Sequence, residues 1–369
     1  NQLLGNAYPK NQLQKAWEKV LLNQFHDILP GSAIEEAYVD TAKDYAEVFS
    51  ITDEIREKNV NALSSKVNTE KEWIVFNPHS IPLSSEISID GKCYYVENVP
   101  AKGYATYNLT NGEDKITFAG SKFENDFYSL IFDENFELSS IFDKCRNREL
   151  LAEGCKGNRF RTYEDMPIKF DAWDISSDYG EKYWDVLSVD DVSLIEEGER
   201  KGVQITRTYL SCKFKQIIWL YNHTPKIDFE TEIDWDIPHV LVKVLFPLNV
   251  NTDKAICDVQ FGVTERNTHK NTSWDAARFE FCAHKYVDIC DGNFGVALMN
   301  DCKYGYAVDK NELSLTLIKC STYPDFHADR GKHIFTYSIY SHDGYADRED
   351  VVWQSYLLNN PYYIILQSL

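Results

Sequence analysis

The apolar period of this chain changes once, and that change bounds what the chain can fold into. Up to about residue 66, apolar side chains recur at three- and four-residue spacing. Leu13, Ala16, Trp17, Val20, Leu21 and Ile28 fall on one helical stripe, and Pro30-Gly31 ends it. Ser32-Ala33-Ile34-Glu35 has the form of a capping box, so a second helix is expected to start at once. Ile34, Tyr38, Thr41, Tyr45, Val48, Thr52, Ile55, Asn59 and Ala62 then predict a helix of roughly thirty residues, about 45 Å long. The two helices form an antiparallel pair, open to completion by a helix from before Asn1. The polar run Lys66–Lys71 is the expected boundary, dividing a helical part at 1–68 from the rest at 69–369.

From Trp73 onward the pattern is short strands with turn punctuation. Trp73–Phe76 is closed by Asn77-Pro78, and Glu86–Ile89 and Lys92–Val96 flank Asp90-Gly91 as a hairpin. Phe127–Phe132 and Phe136–Phe142 flank another turn, and Val203–Leu210, Lys213–Tyr221 and Lys226–Asp234 read as a meander. Val240–Phe246, Gly295–Met299, Leu313–Ile318 and Ile334–Tyr340 continue in the same style. The fold class is therefore α+β and multidomain: an N-terminal antiparallel helical bundle followed by a large antiparallel β-sandwich. Apolar residues make up 43% of the chain, enough for a core, and no apolar run is long enough to span a membrane. The net charge of −20 argues against a nucleic-acid partner, because phosphate binding needs a basic face. The nine cysteines are odd in number and contain no Cys-x-x-Cys, which suits a reducing cytoplasm better than a disulfide scaffold.

Chemistry concentrates in a few places. Asn23-Gln24-Phe25-His26-Asp27 sets an imidazole beside a carboxylate at the helix–loop–helix corner. Such a pair can ligate zinc and bind a sugar hydroxyl; the plainer reading is a helix-capping histidine beside a solvated aspartate. Glu164-Asp165 and Asp171-Ala172-Trp173-Asp174 place four carboxylates and a tryptophan within eleven residues. Acids that accept hydroxyl hydrogen bonds, with a ring to cover C–H faces, are how proteins hold sugars. A polar loop with an anchoring tryptophan is the alternative. Arg266, Asp301 and Lys303 stand at polar ends of apolar strands, as contacts for sugar hydroxyls or for a domain interface. Each of the other histidines, His327 among them, reads as structural.

The segment Trp17–Ser32, WEKVLLNQFHDILPGS, resembles the one that carries a zinc-ligand histidine in glycoside hydrolase family 38, the α-mannosidases. Further similar segments follow in the family's order at Tyr163–Ile175, Gln260–Glu280, Gly295–Val308 and Ser321–His342, and look most like the branch that includes the cytosolic enzymes. The resemblance implies a retaining, zinc-dependent hydrolase of terminal α-mannosides, built around a large two-sheet sandwich. It makes His26 a metal ligand and Asp27 a sugar or outer-shell contact. It sets Asp165, Asp171, Trp173, Asp174, Arg266, Asp301 and Lys303 as candidate substrate contacts. It also implies that the His-x-Asp zinc pair, the nucleophile and the acid/base belong to a preceding β/α domain. Asn1 lies only a short way before the first helix, and Tyr362–Leu366 reads as a strand in progress. A middle-to-C-terminal piece is therefore expected, inactive alone and with an incomplete zinc site. The implied partners are mannose-containing oligosaccharides and that catalytic domain, with no membrane and with a homo-oligomer left open. A carbohydrate-binding or purely structural sandwich module is the alternative.

Overall fold

The computed structural model describes residues 4–345 and 348–367. Helix α1 spans Lys10–Asn23 and helix α2 spans Glu35–Ser64. They run antiparallel, since Lys15 pairs with Glu47, Lys19 with Asp44 and Asn23 with Thr41.

Two sequence expectations fail at the corner between these helices. α1 stops at Asn23, not at Pro30, so His26 and Asp27 lie in a run of turns instead of on the helix end. The cause is Asn23 itself: its buried amide bonds Lys19 O at 2.9 Å and Asp44 at 3.2 Å, and accepts from the Thr41 hydroxyl at 2.7 Å. The capping box does not form either. The N-cap of α2 is Ile34, with no side-chain cap, while the Ser32 hydroxyl donates to Asp27 O at 3.3 Å. The Tyr38 hydroxyl accepts the N–H of Ala33, ahead of the helix, at 2.9 Å.

The rest is antiparallel sheet. A nine-stranded sheet runs, in spatial order, Asp191–Glu197, Arg200–Tyr209, Cys212–Tyr221, Ile227–Trp235, Gly331–Asp343, Phe294–Asn300, Tyr286–Cys290, Lys254–Val259, Gly262–Asn267. A six-stranded sheet runs Tyr183–Asp185, Arg159–Glu164, Val240–Pro247, Glu312–Lys319, Gly305–Asp309, Phe281–Cys282. A five-stranded sheet covers Thr117–Glu149. The six- and five-stranded sheets pack on the nine-stranded one over a single core, with Phe160, Phe246, Leu315 and Leu130 meeting Phe214, Phe229, Leu298 and Tyr337. Alternation puts every second side chain into that core, which is why the meander at 200–235 was readable from its pattern.

Trp73–Phe76 is the middle strand of a three-stranded sheet, flanked by Tyr104–Tyr107 and by Tyr363–Leu366, so the strand at the end of the described chain returns to the first. The hairpin Leu83–Ile89/Lys92–Val99 turns at Asp90 and Gly91, both at positive φ (50° and 74°), as a two-residue hairpin turn requires. Besides a short turn of helix at Ser273–Ala276 (α3), a helix at Arg348–Asn359 (α4) interrupts the strands and was not expected. Val351 of α4 packs against Tyr286, Met299 and Tyr340 on the outer face of the nine-stranded sheet, and Leu357 against Val75 and Val99.

Candidate functional site

The loop Ser321–Arg330, between strand Glu312–Lys319 and strand Gly331–Asp343, is the hub of the site. From one side it is held by Asp171. The buried carboxylate of Asp171 accepts the Thr322 N–H at 2.7 Å, the Thr322 hydroxyl at 3.1 Å and the Tyr323 N–H at 3.0 Å. Asp165, six residues earlier, is 1% exposed and pairs with Lys319, just before the loop. Burial pushes its carboxyl above the ordinary aspartate range, and Lys319 only partly counters that. Its N–H donates to His239 O at 2.8 Å. Trp173 stands half exposed, with its ring centroid 5.9 Å from that of Phe170 and 6.2 Å from that of Tyr323. Phe170 and Tyr323 are 5.9 Å apart, so the three rings make one open aromatic surface, and Asp174 is exposed beside them.

From the other side the loop meets the helical corner. His327 Nδ1 lies 3.2 Å from Glu35 Oε2, in the first turn of α2. Burial raises the Tyr38 hydroxyl, and Asp325, Asp329 and Asp27 all act on it in the same direction, so loop and corner share one acidic neighbourhood. At the corner, His26 is 77% exposed and its Nε2 lies 3.5 Å from Asp27 Oδ2, with the Phe25 ring 4.1 Å from the imidazole. One imidazole and one carboxylate suit zinc chemically but fill at most two of four positions.

Lys303 lies near the same loop, and Asp301 lies against the strand that follows it. The Lys303 ammonium sits 4.6 Å from the Phe335 ring centroid, its pKa lowered by burial, with Asp329 among the charges acting on it. Asp301 accepts the Thr336 N–H at 3.0 Å, and burial raises its carboxyl. Arg266 stands apart, on the edge strand Gly262–Asn267, its guanidinium 4.9 Å from the Phe281 ring centroid. The structure therefore brings Asp165, Asp171, Trp173 and Lys303 to one loop, sets Asp301 against the strand that follows it, and brings the helical corner to the loop's other side.

Sequence reasoning passed over several participants. One His-x-Asp tripeptide does occur, His327-Ala328-Asp329, in this sandwich loop. Lys319 and Thr322 carried no local signal, and Glu35 was read only as part of a capping box. Lys243 did: it is the single charge in the apolar run Val240–Phe246. It is 1% exposed and pairs with Glu280, which also accepts from the Tyr179 hydroxyl at 2.5 Å. That pair pins the segment ending at Glu280 over the face of the six-stranded sheet.

Residues 123–327 match the family model described as "Glycosyl hydrolases family 38 C-terminal domain", and residues 2–63 that of "Alpha mannosidase middle domain". The chain is 31% identical over 374 residues to alpha-mannosidase 2C1 of Mus musculus, covering 96% of this chain and 36% of that protein. It is 32% identical over 360 residues to the alpha-mannosidase of Saccharomyces cerevisiae, covering 93% of this chain and 32% of that one. This chain thus spans about a third of the length of these relatives. In fold it is similar to an alpha-mannosidase from Enterococcus faecalis V583, with a TM-score of 0.83 at 14% identity over 98% of this chain and 54% of that one. With more than half of its residues inside the C-terminal domain match, the chain belongs to glycoside hydrolase family 38.

Proposed function

We propose that this chain forms the helical (1–68) and sandwich (69–369) parts of a retaining, zinc-dependent enzyme that hydrolyses terminal α-mannosides. One observation carries the reading: the loop Ser321–Arg330 is held by Asp171 on one side and meets Glu35, beside the His26–Asp27 corner, on the other. A sugar lying along that loop reaches a carboxylate at Asp27 and an aromatic surface at Trp173.

In this reading His26 gives one imidazole to zinc, with the remaining ligands from the β/α domain implied by the family resemblance. Zinc bound there supplies Lewis-acid contacts to sugar hydroxyls. Asp27 accepts a hydroxyl. The rings of Trp173 and Tyr323 cover a C–H face, and Asp174 is a free acceptor at their rim. Asp165 and Asp171 are buried and act as supports that fix the loop. Lys303 and Asp301 support the loop and the strand that follows it, and Arg266 serves the domain interface. A retaining mechanism needs two carboxyl groups about 5–5.5 Å apart, which we assign to the β/α domain, so this chain alone does not turn a mannoside over. The exposed Trp17, Leu21 and Leu22 of α1 suit packing against that domain. None of the nine cysteines is in a disulfide among the described residues, as a reducing cytoplasm favours.

The test is His26→Ala in the full-length enzyme. The zinc held at the corner should be lost and kcat/KM should fall by orders of magnitude, while the melting temperature of the metal-free protein holds, because the side chain is mostly exposed. Full zinc and near-normal kcat/KM would refute the assignment. Mannose binding by this chain, with full activity in His26→Ala, would instead favour a carbohydrate-binding module.

A further inference from the structure

The geometry points to a second divalent-metal site, formed by Glu35, Asp325 and His327, that fastens the first turn of α2 to the sandwich loop. It is distinct from the His26 corner and does not depend on the mannosidase reading. A carboxylate oxygen of Glu35, one of Asp325 and a ring nitrogen of His327 all lie within 4.8 Å of one another. Among the described residues this is the one such group of three.

Three observations favour an ion over a simple ion pair. The first is spacing. Zinc bonds of about 2.0–2.2 Å to nitrogen and oxygen set ligand pairs roughly 3.3–3.5 Å apart on a tetrahedron. His327 Nδ1 and Glu35 Oε2 are 3.2 Å apart, already near that edge. Asp325 needs only a small side-chain adjustment to join them, and Glu35 and His327 are each 57% exposed and free to move.

The second is Asp325, which is 8% exposed. Its Oδ1 takes the His327 N–H at 2.8 Å, which fixes the carboxylate beside the imidazole. A carboxylate held by one backbone bond keeps acceptor positions that a cation can take.

The third is the charge around it. Asp27, Asp325 and Asp329 all act on Tyr38, while the loop's own cation, Arg330, is engaged elsewhere, 3.8 Å from Asp236 and over the Phe326 ring.

The donor set selects the ion. Three ligands are too few for calcium, which takes six to eight oxygens, and no thiolate is in the group to favour a soft ion. One imidazole and two carboxylates, with water in the fourth position, suit zinc or a close relative such as cobalt. The two sides of the site are 292 residues apart in sequence, so an ion here holds the helical corner against the loop that carries Tyr323.

The experiment is zinc titration of the metal-stripped chain, followed by calorimetry and by elemental analysis after gel filtration. One zinc per chain is expected. Zinc at a hundred times its Kd should raise the folded-to-unfolded ratio about 100-fold, read as a higher melting temperature. Glu35→Gln and His327→Gln should each weaken binding at least tenfold, and His26→Ala should leave it unchanged. Should a variant fail to fold, the visible spectrum of the cobalt-loaded native chain reads the ligand set directly: tetrahedral bands support the site, and an octahedral aquo-like spectrum refutes it. The proposal is overturned if the native chain retains no zinc, if both Gln variants retain it undiminished, or if His26→Ala loses it.

Discussion

Replacing Asp171 by asparagine is the most informative perturbation of the loop. The carboxylate uses both oxygens: one takes the Tyr323 N–H at 3.0 Å, the other the Thr322 N–H at 2.7 Å and the Thr322 hydroxyl at 3.1 Å. An amide has one acceptor oxygen. Turned toward Thr322, it leaves its own NH2 facing the Tyr323 N–H, donor against donor, in a buried setting. Losing one charge-assisted bond costs about 1.5–3 kcal/mol, and weakening the other two brings the loss to about 2–4 kcal/mol. For a chain of this size that is a fall in melting temperature of roughly 3–5 °C. Hydrogen exchange of the amides at 321–330 should rise by more than global destabilisation explains, because the bonds lost are local to the loop. In the full-length enzyme KM should rise together with a fall in kcat, since Tyr323 shares its surface with Trp173. If Asp171→Asn melts with the native chain and the loop exchanges no faster, Asp171 does not hold the loop and the account of the site fails.

Other outcomes follow from the same structure. Lys243→Met leaves the Glu280 carboxylate with the Tyr179 hydroxyl but no cation, and should destabilise by about 3–5 kcal/mol in urea unfolding; the double change Lys243→Met/Glu280→Leu should recover much of that loss. A double variant as unstable as the single one would show that shape, not charge, is at issue there. Burial pushes the His342 imidazole down, but its 2.9 Å bond to Asp288 outweighs this and raises it above 6.5. That pair therefore stabilises fully below about pH 6.5 and its contribution is lost as pH rises through the raised folded value. His342→Gln should flatten the pH dependence of stability in that window, and an unchanged slope would contradict the assignment. Trp173→Ala, at a half-exposed ring, should change stability by less than about 1 kcal/mol yet raise KM for an α-mannoside in the full-length enzyme. An unaltered KM would remove the aromatic surface from the sugar site.

The sequence alone determined the parts of this protein that neighbours along the chain decide. The long helix Glu35–Ser64 was legible because its apolar residues repeat every three to four positions, and the hairpin at Asp90-Gly91 because only certain residues take positive φ there. The meander from Arg200 to Trp235 was legible from alternation. Where local cues competed with distant partners, they lost. α1 ends at Asn23, whose amide Thr41 and Asp44 of the other helix capture, and Ser32 caps nothing because its hydroxyl turns to Asp27 O. The helix Arg348–Asn359 is settled by the sheet face that receives Val351.

The site is tertiary almost throughout. His26, Asp27, Asp171 and Trp173 could be named from motifs, but not what surrounds them. Asp165 meets Lys319 across 154 residues, Asp171 meets Thr322 across 151, and Glu35 meets His327 across 292. Contacts at such separations leave no periodic trace, because they depend on which sheet each strand joins and at which edge. Burial then assigns the roles: the same carboxylate is an inner brace at Asp171, where the core closes over it, and a free acceptor at Asp174, three residues on, where it does not.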